Sequence, residues 1–208
     1  MAFDFDGVIL ESTHIKTEAF RELFVEYPAA LDSIIKYHVE NGGISRFIKF
    51  RFIYENLIKQ PYSQEIENKL AKKFEGLVMG KVLQCPFVDG ALEVLEKYSK
   101  KLPLYIVSGI PDGELKQILL KRGLRMHFSE VFGSSKSKQE WLNDIIDKNQ
   151  INPENLLFVG DALSDYYAGI AAKVTFIGRL VEEKSPFPQN DTLVTIRDLR
   201  ELVPLIEE

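Results

Sequence analysis

The sequence has little of several features that would point to a particular compartment or partner. A single cysteine in 208 residues excludes an internal disulfide framework and is typical of a reducing compartment. No apolar run reaches transmembrane length, and the acidic N-terminal stretch lacks the Lys/Arg-led start of a signal peptide. The net charge of −5 differs from the basic footprint of nucleic-acid-binding proteins. We therefore expect a cytoplasmic protein that binds neither membrane nor nucleic acid.

What the sequence does have is a regular alternation of short apolar runs with segments of helical periodicity. The runs with strand character are 2–5, 102–107, 126–132, 156–159, 174–177 and 193–196. Between residues 27 and 84 the pattern changes to three helical segments with no strand-like run. The alternation predicts an α/β protein with a Rossmann-like three-layer parallel-sheet core, residues 1–26 and 85–208. Residues 27–84 are predicted to form an inserted α-helical domain.

Two carboxylates, Asp4 and Asp6, stand at the end of the first predicted strand, and Gly7 follows as a turn. Residues i and i+2 of a strand point to the same side, so both side chains converge beyond its carboxyl end. Open α/β sheets bind ligands there. Close carboxylates need a cation, a shared proton or a nearby Lys or Arg, and Mg²⁺ suits their oxygen atoms. A surface turn with two solvated acids is the alternative.

Polar residues also follow the later strands. Ser108 and Gly109 end the second strand, Lys138 lies in a later loop, and Asp161 follows the fourth strand with Asp165 four residues on. In a parallel sheet these strand ends share one edge. We therefore expect carboxylates, a hydroxyl group, a lysine and backbone amides exposed by glycine to face a single crevice.

Four motifs in this order resemble those of the haloacid dehalogenase superfamily, specifically its phosphatase branch with a helical cap, the phosphoglycolate phosphatase and β-phosphoglucomutase-like members. The motifs are Asp4-Phe5-Asp6-Gly7-Val8, Ser108 after Tyr105-Ile106-Val107, Lys138, and Gly160-Asp161-Ala162-Leu163-Ser164-Asp165. The resemblance covers nearly the whole chain. It implies that the helical insert is a cap that closes over the crevice and carries substrate selectivity.

The resemblance implies a role for each motif residue in an aspartyl-phosphate mechanism. Asp4 would be the nucleophile that attacks a phosphoryl group, and Asp6 would protonate the leaving oxygen and then activate water. Ser108 would hydrogen-bond a phosphoryl oxygen. Lys138 would neutralise charge on Asp4 and on the phosphoryl group. The presence of Asp6 favours phosphoester chemistry, because the dehalogenases and phosphonate hydrolases of the superfamily lack this second aspartate.

The same resemblance implies a Mg²⁺ cofactor. Asp161 would ligate Mg²⁺ together with Asp4 and the backbone carbonyl of Asp6, and Asp165 would ligate it or hold its waters. Asp165 on a solvated helix face is the alternative. For the lysine of the third motif, Lys136 is a rival to Lys138.

Substrate contacts are predicted in the insert and at the second strand. Arg46 and Lys49 share a helix face after a Gly-Gly pair and suit an anionic substrate group, with Arg46 the first choice. A solvated basic face is the alternative. Ser108, Gly109 and Lys138 are predicted to contact the phosphoryl group, although Ser108 as a plain turn residue is an alternative.

The predicted function is a Mg²⁺-dependent phosphatase acting on a small-molecule phosphate ester. A phosphosugar mutase of the β-phosphoglucomutase type is the runner-up, weakened because Lys16 replaces the histidine that those relatives usually carry. A catalytically silent binding module is a third interpretation. Sugar phosphates, nucleotides, small phosphorylated acids and polyol phosphates are all open as substrates. Both a monomer and a homodimer are compatible with the sequence.

Overall fold

The computed structural model describes residues 1–189 and 192–207, and their centre is a six-stranded sheet whose neighbouring strands are all parallel. The strands are β1 (Ala2–Phe3), β2 (Tyr105–Val107), β3 (Glu130–Phe132), β4 (Leu157–Gly160), β5 (Thr175–Arg179) and β6 (Val194–Ile196). Their order is β3-β2-β1-β4-β5-β6. The first strand of the chain therefore lies inside the sheet, where Phe3 pairs with Ile106 on one side and Val159 on the other.

Helices cover both faces of the sheet. They are α1 (Thr13–Leu23), α2 (Leu31–Glu40), α3 (Arg46–Phe52), α4 (Gln64–Val82), α5 (Ala91–Tyr98), α6 (Asp112–Lys121), α7 (Lys138–Asn149), α8 (Leu163–Ala172) and α9 (Leu202–Glu207). Successive strand residues enter opposite cores: Phe3 belongs to one apolar cluster and Ala2 to the other. Burial on both faces explains why the inner strands β1, β2 and β4 are apolar runs. The predicted three-layer α/β core is confirmed.

Residues 27–84, all of which the structure describes, contain helices and no strand. One of the three predicted helical segments is α3 followed by a π-helix, Ile53–Ile58, and Lys59 ends it in the left-handed conformation. Helix α1 of the core packs against both α2 and α4. The division into a core and an inserted domain at residues 27 and 84 stays a prediction, and its last residue, 208, lies outside the described residues. None of the described helices is long and apolar enough to cross a membrane.

Candidate active site

Asp4 lies directly after the central strand, at the carboxyl edge of the sheet. Its backbone amide donates to the carbonyl of Val159 at 2.8 Å, which fixes the start of the loop. The side chain is buried, and its Oδ2 lies 3.1 Å from Nζ of Lys138. Its Oδ1 is buried without a hydrogen-bond partner among the described residues. Burial raises the pKa of Asp4, and the Lys138 ammonium opposes that shift.

Three carboxylates meet at this point, since oxygen atoms of Asp4, Asp161 and Asp165 all lie within 4.8 Å of one another. Asp165 is fully buried: its Oδ1 accepts a hydrogen bond from Lys138 at 2.5 Å, and its Oδ2 accepts one from the amide of Ala162 at 3.1 Å. Burial and the nearby Asp4 carboxylate raise the pKa of Asp161. Although burial acts to lower it, the Asp165 and Asp4 carboxylates raise the pKa of Lys138. The ammonium of Lys138 therefore lies beside a cluster of three carboxyl groups and contacts two of them.

The two candidate lysines of the third motif have different surroundings. Lys138 is the first residue of α7, whose start is fixed by a capping box between Ser137 and Glu140. Its side chain is 8% exposed and points into the carboxylate cluster. Lys136 is exposed, and its Nζ pairs with Asp144 at 2.6 Å. The structure thus places Lys138, and not Lys136, beside Asp4.

The turn after Asp4 needs a glycine. Gly7 has a positive φ of 73°, and a Cβ atom there would lie 2.3 Å from Oδ2 of Asp161. The guanidinium of Arg179 holds this turn, because Nη1 donates to the carbonyl of Gly7 at 3.0 Å while Nη2 pairs with Glu11 at 2.5 Å. Sequence reasoning missed Arg179, which follows the predicted end of its strand.

The Asp6 carboxylate is held from α1 and lies outside the group of three. The hydroxyl of Ser12 donates to its Oδ1 at 2.5 Å, and Lys16 forms an ion pair with its Oδ2. Sequence reasoning considered Lys16 only as the substitute for a histidine. Its position one turn after Ser12, the residue that precedes α1, was a usable signal. Asp6 lines the cavity while these two contacts hold its carboxylate.

The second strand ends in the predicted Ser-Gly pair. Ser108 is buried, and its hydroxyl accepts a hydrogen bond from the amide of Ile110 at 3.2 Å. Gly109 lines the cavity in front of Asp4. A Cβ atom at Gly109 would lie 2.5 Å from the carbonyl of Gly43, so the loop before α3 rests directly on this glycine.

A cavity of about 790 Å³ opens in front of the carboxylates. Its wall combines groups from the sheet edge with groups from helices α1, α2 and α3. Its charged wall residues include Asp4, Asp6, Asp161, Lys16, Arg46 and Lys49. The site therefore has room for a small molecule between the strand ends and the helical segment.

The two predicted substrate contacts of α3 are both buried, but their partners differ. Nη2 of Arg46 pairs with Oε1 of Glu114 at 2.8 Å, and its guanidinium lies 4.5 Å from the ring centroid of Phe74. Nζ of Lys49 donates to the carbonyl of His38 at 3.0 Å and lies 3.2 Å from its Nδ1. Burial, with the charges of two other lysines, lowers the pKa of Lys49 to about 7. Neither residue lies on a solvated basic face.

This arrangement suits nucleophilic chemistry at an anionic centre. A carboxylate with one free oxygen faces a cavity, and an ammonium beside it can neutralise negative charge. A second carboxylate, that of Asp6, lines the same cavity and is held by a hydroxyl and an ammonium. The clustered oxygen atoms are of the kind that a hard divalent cation prefers.

Known proteins are similar to this chain in sequence or in architecture. The phosphoglycolate phosphatase of Vibrio cholerae serotype O1 is 26% identical over 178 residues, which cover 81% of this chain and 78% of that protein. A hydrolase from Pseudomonas syringae has a TM-score of 0.76 at 20% identity, covering 99% of this chain and 96% of the other. A Bacillus subtilis HAD-hydrolase described as bound to magnesium has a TM-score of 0.70 at 22% identity, covering 100% and 97%. At these identities the two structures establish the fold.

The family is established by a sequence match over most of the chain. The sequence profile of the haloacid dehalogenase-like hydrolases matches residues 1–179 and so includes all four motifs. The resemblance predicted from the strand-end residues is confirmed. This chain belongs to the haloacid dehalogenase-like hydrolases.

Proposed function

We propose that this hydrolase is a Mg²⁺-dependent phosphatase that releases phosphate from a small phosphorylated metabolite through an aspartyl-phosphate on Asp4. One observation carries the proposal: Asp4 presents a buried carboxylate with one oxygen beside Lys138 and the other without a partner, at the floor of a cavity. The similarity to a protein named phosphoglycolate phosphatase supports a phosphate monoester as the substrate class.

In the first step an oxygen of Asp4 attacks the phosphorus atom, and the bond from phosphorus to the ester oxygen breaks. Asp6 gives a proton to that oxygen, which leaves as an alcohol. In the second step Asp6 takes a proton from water, whose oxygen attacks the same phosphorus and releases Asp4 and inorganic phosphate. Lys138 stabilises the negative charge that spreads over the phosphoryl oxygens in both steps. Ser108 and Gly109 would contact those oxygens at the end of β2.

The residues fit a hard divalent cation. The donors are carboxylate oxygens within 4.8 Å of one another, and a buried oxygen of Asp4 lacks a hydrogen-bond partner in the described part of the chain. Asp4, Asp161 and Asp165 would hold Mg²⁺, and the backbone carbonyl of Asp6 is the further predicted ligand. When bound, Mg²⁺ would neutralise charge on the carboxylates and on the phosphoryl group.

We also propose that residues 27–84 act as a cap over this cavity. Two contacts support this role: the hydroxyl of Ser164 donates to the carbonyl of Gly42 at 2.8 Å, and Arg46 pairs with Glu114 on α6. A cap in contact with the core excludes water from the aspartyl-phosphate until the substrate alcohol has left. The single cysteine supports a cytoplasmic location.

The test is phosphate release from a panel of phosphometabolites, in Mg²⁺ or in EDTA, by the wild type and by Asp4→Asn. We expect Mg²⁺-dependent release that falls at least about 1000-fold in Asp4→Asn, because the nucleophile is removed. Asp144→Asn is the matched control, since the same change is made at an exposed acid paired with Lys136. It should retain activity.

Two other results would overturn the proposal. Isomerisation of a sugar phosphate without net phosphate release would indicate a mutase. A folded wild type that neither releases nor transfers phosphate from any compound would indicate a silent binding module. Equal release by the wild type and Asp4→Asn would show that another group is the nucleophile.

A further inference from the structure

Lys49 is a buried cation in the cavity wall whose contacts are neutral. Its side chain is 3% exposed, and its ammonium donates to the carbonyl of His38 and contacts the ring nitrogen of the same residue. Within the described residues, no carboxylate oxygen lies within 4 Å of this ammonium. The charge of Lys49 is therefore not neutralised by an ion pair with the part of the protein that the structure describes.

Two other cations of the wall have carboxylate partners. Arg46 pairs with Glu114 at 2.8 Å, and Lys16 pairs with Asp6. Lys138, at the floor, contacts Asp4 and is likewise paired. Lys49 thus differs from its neighbours on the same cavity, although it belongs to the same helix as Arg46.

Burying an unpaired ammonium costs free energy, and nearby charges of the same sign increase that cost. Lys16 and Lys138 both act on Lys49 in this unfavourable direction, whereas Asp6 acts in the favourable one. The ammonium of Lys49 therefore lacks an acidic partner, which an anionic group of a ligand would supply. A ligand that brings such a group binds with less repulsion than one that does not.

The contacts of Lys49 also fix its position. The ring of His38 stacks on Phe20 with centroids 4.0 Å apart, and Nζ of Lys49 lies 5.7 Å from the Phe20 ring centroid. An ammonium held in this way loses little conformational entropy when a ligand binds. Its single charge, with the Asp6 carboxylate in the same wall, suits a monoanion such as a carboxylate better than a second phosphate group.

We propose that Lys49 is a specificity-determining residue that binds the carboxylate of a phosphorylated small hydroxy acid while its phosphoryl group lies at Asp4. This inference rests on the proposed phosphatase function and adds the substrate class to it. Asp4 and Lys49 line the same cavity of about 790 Å³, so one small molecule can contact both.

Binding of non-hydrolysable analogues tests the inference without turnover. The probes are 3-phosphonopropionate, which carries a carboxylate, and 3-hydroxypropylphosphonate, in which a neutral hydroxymethyl group replaces that carboxylate. Each is titrated calorimetrically into the Mg²⁺-loaded protein. We expect the wild type to bind the carboxylate probe roughly 10- to 100-fold more tightly, the range expected for a charged hydrogen bond. Lys49→Met should lose this preference. Lys36→Met, which removes the same charge from an exposed position on α2, should keep it.

Turnover provides the second readout. Lys49→Met should lower kcat/KM for 2-phosphoglycolate roughly 10- to 100-fold, mainly through KM. For 2-hydroxyethyl phosphate, the kcat/KM of this variant should stay within about threefold of the wild-type value. Lys49→Gln, which keeps a hydrogen-bond donor for the carbonyl of His38, is the second variant should Lys49→Met fail to fold.

Each outcome is decisive. The inference is wrong if the wild type binds both probes equally or binds neither, or if the Lys49 variants lose affinity for both probes alike. Release of phosphate from other monoesters, without a preference for the carboxylate, would overturn the inference and leave the phosphatase function intact. A carboxylate preference in binding, without phosphate release from any compound, would overturn the proposed function alone.

Discussion

Lys138 contacts two buried carboxylates, Asp4 at 3.1 Å and Asp165 at 2.5 Å. Without a metal ion, this ammonium offsets part of the repulsion within the acidic cluster. Removing one partner of a buried ionic group leaves uncompensated charge, which is far more destabilising than the loss of an exposed pair. The residue therefore has a structural contribution that can be measured apart from its proposed catalytic one.

Lys138→Met is expected to lower the free energy of unfolding in EDTA by roughly 3 kcal/mol, at the low end for a broken buried pair because Asp4 can take up a proton. Lys136→Met, two residues away and exposed, should change it by less than about 0.5 kcal/mol. Urea denaturation at pH 7.5 measures both. Equal stability of the two variants would show that Lys138 contributes no net stabilisation to the cluster.

The sequence predicted which residues would meet at Asp4, but not what would surround them. Lys138, Asp161 and Asp165 could be expected near Asp4, because parallel strands bring their carboxyl ends to one edge of the sheet. The partners of Lys49 and Arg179 come from packing between different elements of the fold, which follows no spacing rule. His38 and Gly7 could be assigned to them only from the three-dimensional structure.

Helices α3 and α6 are joined by the buried pair of Arg46 and Glu114, whose side chains are 6% and 7% exposed. The sequence predicted Arg46 as the first choice for a substrate contact, and that role stays a prediction. The residue lines the cavity, but its guanidinium is already paired. A partner 68 positions away along the chain leaves no periodic signal. The π-helix after α3 also leaves no signal in the sequence, because over six residues its apolar pattern matches that of an ordinary α-helix.

A double-mutant cycle with Arg46→Met and Glu114→Gln tests whether this pair holds α3 against α6. Each single variant is expected to lose about 2 to 4 kcal/mol of unfolding free energy, because each leaves a buried charge without its partner. The double variant should lose less than the sum of the two.

Urea denaturation of the four proteins gives the coupling energy. Lys36→Met with Glu40→Gln is the control cycle, at an exposed pair 3.9 Å apart on α2, where the coupling should be at most about 0.5 kcal/mol. Additive losses at Arg46 and Glu114 would show that the two side chains stabilise the protein independently.

In the whole molecule, the acidic cluster lies at the carboxyl end of β1, a strand whose two faces belong to different apolar cores. The alternation of strands and helices predicted a parallel sheet, and the described residues form the six strands that were expected. Their order could not be derived, because periodicity indicates which face a residue takes and not which strand lies beside it. With β1 in the middle, Asp4 is surrounded by structure on both sides and its carboxylate is desolvated. The carboxylates of the folded protein therefore repel one another at the site that is proposed to bind metal.

Mg²⁺ should relieve that repulsion and so stabilise the entire fold. At a hundredfold excess over its Kd, Mg²⁺ should raise the free energy of unfolding by about 2.7 kcal/mol, because it binds the folded chain and not the unfolded one. Asp161→Asn should lose most of this increase. In EDTA it should equal or exceed the wild type in stability, since burial and the Asp4 carboxylate raise the pKa of Asp161 and make its charge unfavourable there. Asp144→Asn should respond to Mg²⁺ as the wild type does. Urea denaturation with and without Mg²⁺ measures all three proteins, and an undiminished response in Asp161→Asn would place the metal elsewhere.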